Sequence, residues 1–121
     1  MDLSDVFKAL GDPSRLRILS LLATKELCVC MIAEILNVSQ PTVSKHLNRL
    51  RYSRIIKCRK IQQWCFYSLS DSFCMHCKEL LNFLLSQWES SEQYKSDLKK
   101  LDYLQNTYCC CQQLLAGSNN K

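Results

Sequence analysis

The 121-residue sequence has very little glycine or proline, two of each. A sandwich or barrel of many short strands needs turn residues in quantity, so that class is excluded and a mostly helical domain is expected. Long apolar runs are missing too. A stretch such as Leu80-Leu81-Asn82-Phe83-Leu84-Leu85 falls far short of the roughly 20 residues that cross a bilayer. Met1-Asp2-Leu3-Ser4 lacks the basic start and apolar centre of a signal peptide, which predicts a cytoplasmic protein. Acidic residues are absent from one whole segment. Between Ile35 and Ser70 there is no Asp or Glu, while Lys45, Arg49, Arg51, Arg54, Lys57, Arg59 and Lys60 supply seven of the 16 basic residues, with His46 beside them. The rest of the chain holds nine basic against eleven acidic residues, a net of −2, although the whole chain carries +5. A mildly acidic body with one strongly basic segment is the electrostatic footprint of a polyanion site.

Cysteine, by contrast, is plentiful. There are nine: Cys28, Cys30, Cys58, Cys65, Cys74, Cys77, Cys109, Cys110 and Cys111. The odd count, the helical composition and the lack of a signal segment argue against a secreted disulfide framework. They favour reduced thiols for metal, metalloid or redox chemistry. A chain of this length makes one domain with a modest core, or a subunit that shares its core with a partner.

Periodicity predicts the elements. Leu3, Val6, Phe7 and Leu10 form one stripe of a short helix that Gly11 ends. Asp12-Pro13 opens a second helix, with Asp as N-cap and Pro at the first position, running to about Ala23. Thr24 to Leu27 reads as a connector. Val29 to Leu36 makes a third helix, and Asn37 suits the left-handed turn after it. Ser39 caps a fourth helix that turns Val43, Leu47 and Leu50 inward and polar and basic residues outward. Two short helices joined by such a turn describe a helix-turn-helix.

Ile55 to Leu69 is β-branched and aromatic, like a hairpin, and a turn at Ile61-Gln62 would set Cys58 opposite Cys65. Asp71-Ser72 caps one long helix whose stripe is Phe73, Cys74, Cys77, Leu81, Leu84 and Trp88. A stripe that long on so small a domain calls for a partner helix from a second subunit. Glu89 to Glu92 reads as a linker, and Tyr94, Leu98, Leu101, Gln105 and Tyr108 carry a last helix into Cys109-Cys110-Cys111. The expected class is mainly α with a small β-hairpin wing (α+β), a winged helix-turn-helix dimerising through its N- and C-terminal helices. The expected division is 1–90 for DNA binding and dimerisation, 91–115 for the C-terminal helix with its cysteine cluster, and 116–121 for a disordered tail.

Three stretches carry a family resemblance. Phe7-Lys8-Ala9-Leu10-Gly11-Asp12-Pro13-Ser14-Arg15-Leu16-Arg17-Ile18-Leu19 resembles the N-terminal signature of the ArsR/SmtB family of bacterial metal-sensing repressors. Ser39-Gln40-Pro41-Thr42-Val43-Ser44-Lys45-His46-Leu47 resembles that family's recognition helix, and Glu26-Leu27-Cys28-Val29-Cys30 resembles the thiol motif of its arsenic-responsive branch. The histidine and carboxylate constellation that zinc-sensing relatives place on the long helix is absent, since His76 is the only histidine besides His46. The resemblance implies a cytoplasmic homodimeric repressor that binds an inverted-repeat operator and releases it on binding As(III) or Sb(III).

Seated in the major groove, the fourth helix offers Gln40 for adenine and Ser44 or His46 for several bases. Ser39 caps that helix at the DNA, Thr42, Lys45 and Arg49 suit phosphates, and Arg59 and Lys60 on the wing suit a flanking phosphate or the minor groove. Trivalent arsenic favours three thiolates. Cys28 and Cys30, two apart, would point to different sides of an ideal helix, so a shared ligand is expected to unwind its start. The resemblance implies Cys109 and Cys110 as further metal ligands, since some arsenic sensors of this family keep vicinal cysteines near the C-terminus.

Cys74 and Cys77 read as core packing, and Cys58 and Cys65 as thiols able to close a disulfide under oxidation. The alternative on the same scaffold is a repressor sensing thiol oxidation or a soft divalent metal (Cd, Pb, Zn). A thiol enzyme of the arsenate-reductase kind would need a Gly-rich phosphate loop that two glycines cannot build, and a zinc-ribbon adaptor would need paired CxxC motifs.

Overall fold

The computed structural model describes residues 1–107. Tyr108, the Cys109-Cys110-Cys111 cluster and the tail from residue 116 lie outside the described residues. The order is α1 (Leu3–Leu10), α2 (Pro13–Leu22), β1 (Leu27–Cys28), α3 (Val29–Leu36), α4 (Gln40–Tyr52), β2 (Ile56–Ile61), β3 (Trp64–Leu69), α5 (Asp71–His76), α6 (Lys78–Glu89) and α7 (Glu92–Thr107). No helix among the described residues is long and apolar enough to cross a membrane.

Local chemistry sets the helix ends. The Asp12 carboxylate accepts the Arg15 N–H at 3.1 Å and Pro13 fills the first position of α2. Asn37 closes α3 in the left-handed region (φ 58, ψ 47), which turns the chain into α4 without a glycine. Ser39 Oγ accepts the Thr42 N–H and caps α4. The turn between α3 and α4 is therefore encoded by three consecutive residues, Asn37, Val38 and Ser39.

The sheet has three antiparallel strands in the order β1-β3-β2. Its third member is a difference from the sequence reading, which took residues 24–27 as a connector. A two-residue strand has no period to detect, and only its pairing, Leu27 with Tyr67 and Cys28 with Phe66, reveals it. The hairpin turn also differs. It falls at Gln62-Gln63, with Gln62 taking φ 58, and Ile61 pairs with Trp64. Moving the turn by one residue adds that apolar rung and leaves polar glutamines at the tip. It also moves every partner by two, so Cys58 faces Tyr67 and Cys65 faces Lys60. The two cysteines share a face but are diagonal rather than opposite.

The long helix is interrupted. Cys77 (φ −118, ψ 35) ends α5, and α6 starts again at Lys78. Both backbone groups of Cys77 stay bonded, its N–H to Phe73 O at 2.9 Å and its carbonyl from Leu81 N at 2.8 Å, so the chain changes direction without orphaning a polar group.

Ile18, Leu19, Leu21, Leu27, Met31, Ile32, Ile35, Leu47, Leu50, Ile55, Phe66 and Phe73 form the fully buried centre, drawn from α2 to α5 and from the sheet. Helix α7 packs on α2 and α3. Its inward row is Tyr94, Asp97, Leu101 and Leu104, whereas Leu98, expected inside, is exposed. Asp97 belongs in that row because Arg17 reaches it with two bonds of 2.9 Å, and Gln93 Nε2 donates to it at 3.2 Å.

Candidate nucleic-acid interface and thiol site

Helix α4 buries Val43, Leu47 and Leu50 and leaves Gln40, Thr42, Lys45 and Asn48 in solvent. Ser39 Oγ lies 2.9 Å from Thr42 Oγ1, so both hydroxyls are engaged at the N-terminus of the helix. Ser44 is half-buried. His46 is turned toward α2, with Nδ1 3.9 Å from Asp12 and 3.5 Å from Arg15 Nη1. The geometry therefore leaves the first two turns, Gln40 to Lys45, as the accessible edge.

The arginines expected at phosphates have carboxylate partners. Arg49 Nη2 donates to Asp5 at 3.0 Å, Nη1 bonds Ser53, and its guanidinium stands 5.9 Å over the Tyr52 ring. The Ser53 hydroxyl first, and Arg49 after it, hold the Asp5 carboxyl below the usual carboxylate range. Arg59 grips Glu26 with two bonds of 2.7 Å, a fork-to-fork pair that ties the wing to the residue preceding β1. Lys57 meets Asp71 at 3.4 Å, and Lys60 is exposed. Sequence reasoning missed Asp5 and Glu26. They sit 44 and 33 residues from their arginines and carry no local signal.

At the other site the structure overturns an expectation. Cys28 is extended (φ −87, ψ 164) and precedes α3, and Cys30 lies in its first turn. The strand-to-helix junction bends the chain, so the sulfurs are together rather than apart, with Cys28 Sγ 3.0 Å from Cys30 Sγ. Cys28 is buried and Cys30 half-buried. Among the described residues no group of three or more His, Cys, Asp and Glu could hold a metal ion, so these two sulfurs form an incomplete set there. The C-terminal helix approaches them. Lys100 Nζ donates to Ile35 O at 2.9 Å near the end of α3, and Lys25 Nζ donates to Gln105 Oε1 near its start. Thus α7 runs antiparallel to α3, toward Cys28. The candidate ligands Cys109 and Cys110 lie outside the described residues.

On the wing, burial first and then Cys65 push the Cys58 thiol up. Burial and the two sulfurs raise the Tyr67 hydroxyl. The two thiols hydrogen-bond across a diagonal of the hairpin, so the wing brings them together although they are not opposite each other.

Residues 12–57 match the model of the family described as bacterial regulatory protein, arsR family. The arsenic resistance transcriptional regulator ArsR2 of Pseudomonas putida is 37% identical over 112 residues, which cover 88% of this chain and 96% of that one. The chain belongs to the arsR family. It is accordingly a DNA-binding transcriptional regulator rather than an enzyme. This arsR-family chain is also 45% identical over 74 residues to the transcriptional repressor SmtB homolog of Synechocystis, where the alignment covers 61% of this chain and 56% of that protein. Its fold matches the homodimeric winged helix-turn-helix DNA-binding domain of Mb0332 from Mycobacterium bovis, with a TM-score of 0.61 and 26% identity over 70% of this chain and 79% of that one.

Proposed function

We propose that this regulator is a homodimeric repressor that binds an inverted-repeat operator in the cytoplasm and releases it when As(III) or Sb(III) bridges Cys28 and Cys30. The observation that carries the ligand is the 3.0 Å approach of those two sulfurs at the β1–α3 junction. A thiophilic trivalent ion replaces the two thiol protons and asks for one more thiolate. Cys109 follows Gln105 by four residues in the sequence, and Gln105 is tied to Lys25, three residues before Cys28. That supports Cys109 or Cys110 as the third ligand.

On the DNA side, Gln40 and Ser44 read bases, with His46 at the edge of that surface. Ser39, Thr42, Lys45 and Arg49 position the helix on the backbone, and Arg59 and Lys60 hold the flank. Exposed apolar side chains on α1 (Leu3, Phe7) and on α5 and α6 (Met75, Phe83) support dimerisation through those helices. An operator-binding assay with arsenite, antimonite, cadmium, zinc and peroxide side by side tests the reading. Release by arsenite and antimonite at the lowest concentrations is expected. Release by cadmium or peroxide alone would replace this ligand by another.

The Arg49–Asp5 pair makes a separate prediction. In Asp5→Asn the guanidinium loses the internal carboxylate that competes with a phosphate for it. DNA affinity should rise at low salt, and the slope of log K against log salt should steepen by about 0.9 per new contact. Anisotropy across a salt series measures this, and a slope unchanged both in Asp5→Asn and in Arg49→Ala would remove Arg49 from the backbone contacts.

A further inference from the structure

Two cysteines that DNA binding and the Cys28–Cys30 pair leave unused lie at the joint of α5 and α6. Cys74 lies in the last turn of α5 and Cys77 follows three residues later as its C-cap, its N–H still bonded to Phe73 O. Cys77 is buried at the change of chain direction and Cys74 is half-buried. A third sulfur arrives from the far end of the chain, where the Cys77 thiol donates to the Met1 thioether, Sγ to Sδ 3.5 Å. Met1 is 46% exposed, so the group opens to solvent on that side. The neighbouring imidazole does not join it: among the described residues no three His, Cys, Asp or Glu side chains come together to hold a metal ion, which leaves His76 outside the Cys74–Cys77 pair. The donors on offer are thus all sulfur: the Cys77 thiol and Met1 thioether in contact, with the Cys74 thiol one turn before them on the chain.

Hard cations take oxygen ligands, and structural zinc takes four nitrogen or thiolate ligands. Thiolate with thioether selects a soft monovalent ion such as Cu(I). We propose that Cys74, Cys77 and Met1 form a binding site for Cu(I), separate from the Cys28–Cys30 pair. On binding, each thiol releases its proton as its Cu–S bond forms and the thioether adds a lone pair, so the metal changes neither oxidation state nor partner chain.

The test uses the reduced full-length chain under anaerobic conditions, titrated with Cu(I) against a chromophoric chelator. Cys74→Ser/Cys77→Ser should hold one Cu(I) fewer than the unaltered chain, while Cys28→Ser/Cys30→Ser should keep that ion. A second measurement locates the metal. In selenomethionine-labelled Met75→Leu protein, the selenium edge should show a Se–Cu path after one equivalent, contributed by Met1 because Met31 is fully buried. That path should vanish in the Cys74→Ser/Cys77→Ser background. An unchanged stoichiometry in that variant, or no Se–Cu path, would overturn the site. Arsenite release of the operator should be untouched in Cys74→Ser/Cys77→Ser, so failure here and failure of the arsenic reading are told apart.

Discussion

Arg17→Ala is expected to destabilise the fold by about 3–5 kcal/mol, the cost of breaking a buried ion pair from the side that strands a charge. Asp97 is only 1% exposed and its carboxylate is gripped by both Arg17 nitrogens at 2.9 Å. Without Arg17, the Gln93 amide at 3.2 Å is the side-chain donor left to it among the described residues. Asp97→Ala should cost less. Arg17 is 23% exposed and can turn its guanidinium to water when its partner is gone. The asymmetry distinguishes a desolvated carboxylate from a simple loss of attraction. An apolar pair, Arg17→Met with Asp97→Leu, should recover much of the loss, since neither side then buries a charge. Urea midpoints at a fixed protein concentration measure all three, the concentration mattering if the dimer contributes. Equal losses for the two single variants would show that burial of Asp97 is not what makes the pair costly to break. Because α7 reaches α2 through this pair, the same variants should also loosen the approach of α7 to the thiol site.

The elements legible in advance were those whose signals are local. Asp12-Pro13, Asn37 and Ser39 each act within a few residues, and the structure places caps and turns where they stand. What escaped was non-local. β1 exists only because β3 lies beside it, and the hairpin register turned on whether Ile61 or Gln62 starts the loop. That choice is decided by the cross-strand partner Trp64 rather than by the tip residues. The break at Cys77 has no proline or glycine to announce it, and the apolar stripe runs through it unchanged.

The same division holds for the sites. Basic residues without acidic neighbours marked 35–70 as the surface for a polyanion, and α4 does present Gln40, Thr42 and Lys45 to solvent. The sequence could not show that Arg49 and Arg59 are held by Asp5 and Glu26, which come from other elements. For the thiols, residue spacing alone misled. Two positions diverge on a regular helix, but Cys28 is not helical, and one extended residue brings its sulfur onto Cys30.

Cys28→Ser and Cys30→Ser are each expected to abolish arsenite release while leaving operator affinity without arsenite close to that of the unaltered chain. In the unaltered protein, arsenite should weaken DNA binding by about 5–150-fold, the range of a coupling of about 1–3 kcal/mol. The route does not need an unwound helix. Cys28 is a rung of the sheet opposite Phe66, and Phe66 is paired on its other side with Arg59 of the wing. Cys30 rides on α3, which packs against α4. One ion bonded to both sulfurs would therefore pull on the wing and on the recognition helix together. Glu26 strengthens the link, since it holds Arg59 and lies two residues from Cys28. Glu26→Gln should accordingly shrink the arsenite response without removing arsenic binding, because it cuts the charged tie and leaves the sulfurs in place. Operator titrations with and without arsenite, beside direct arsenic binding to each variant, separate ligand capture from its transmission. If Cys28→Ser still releases DNA on arsenite addition, the junction between β1 and α3 is not the switch.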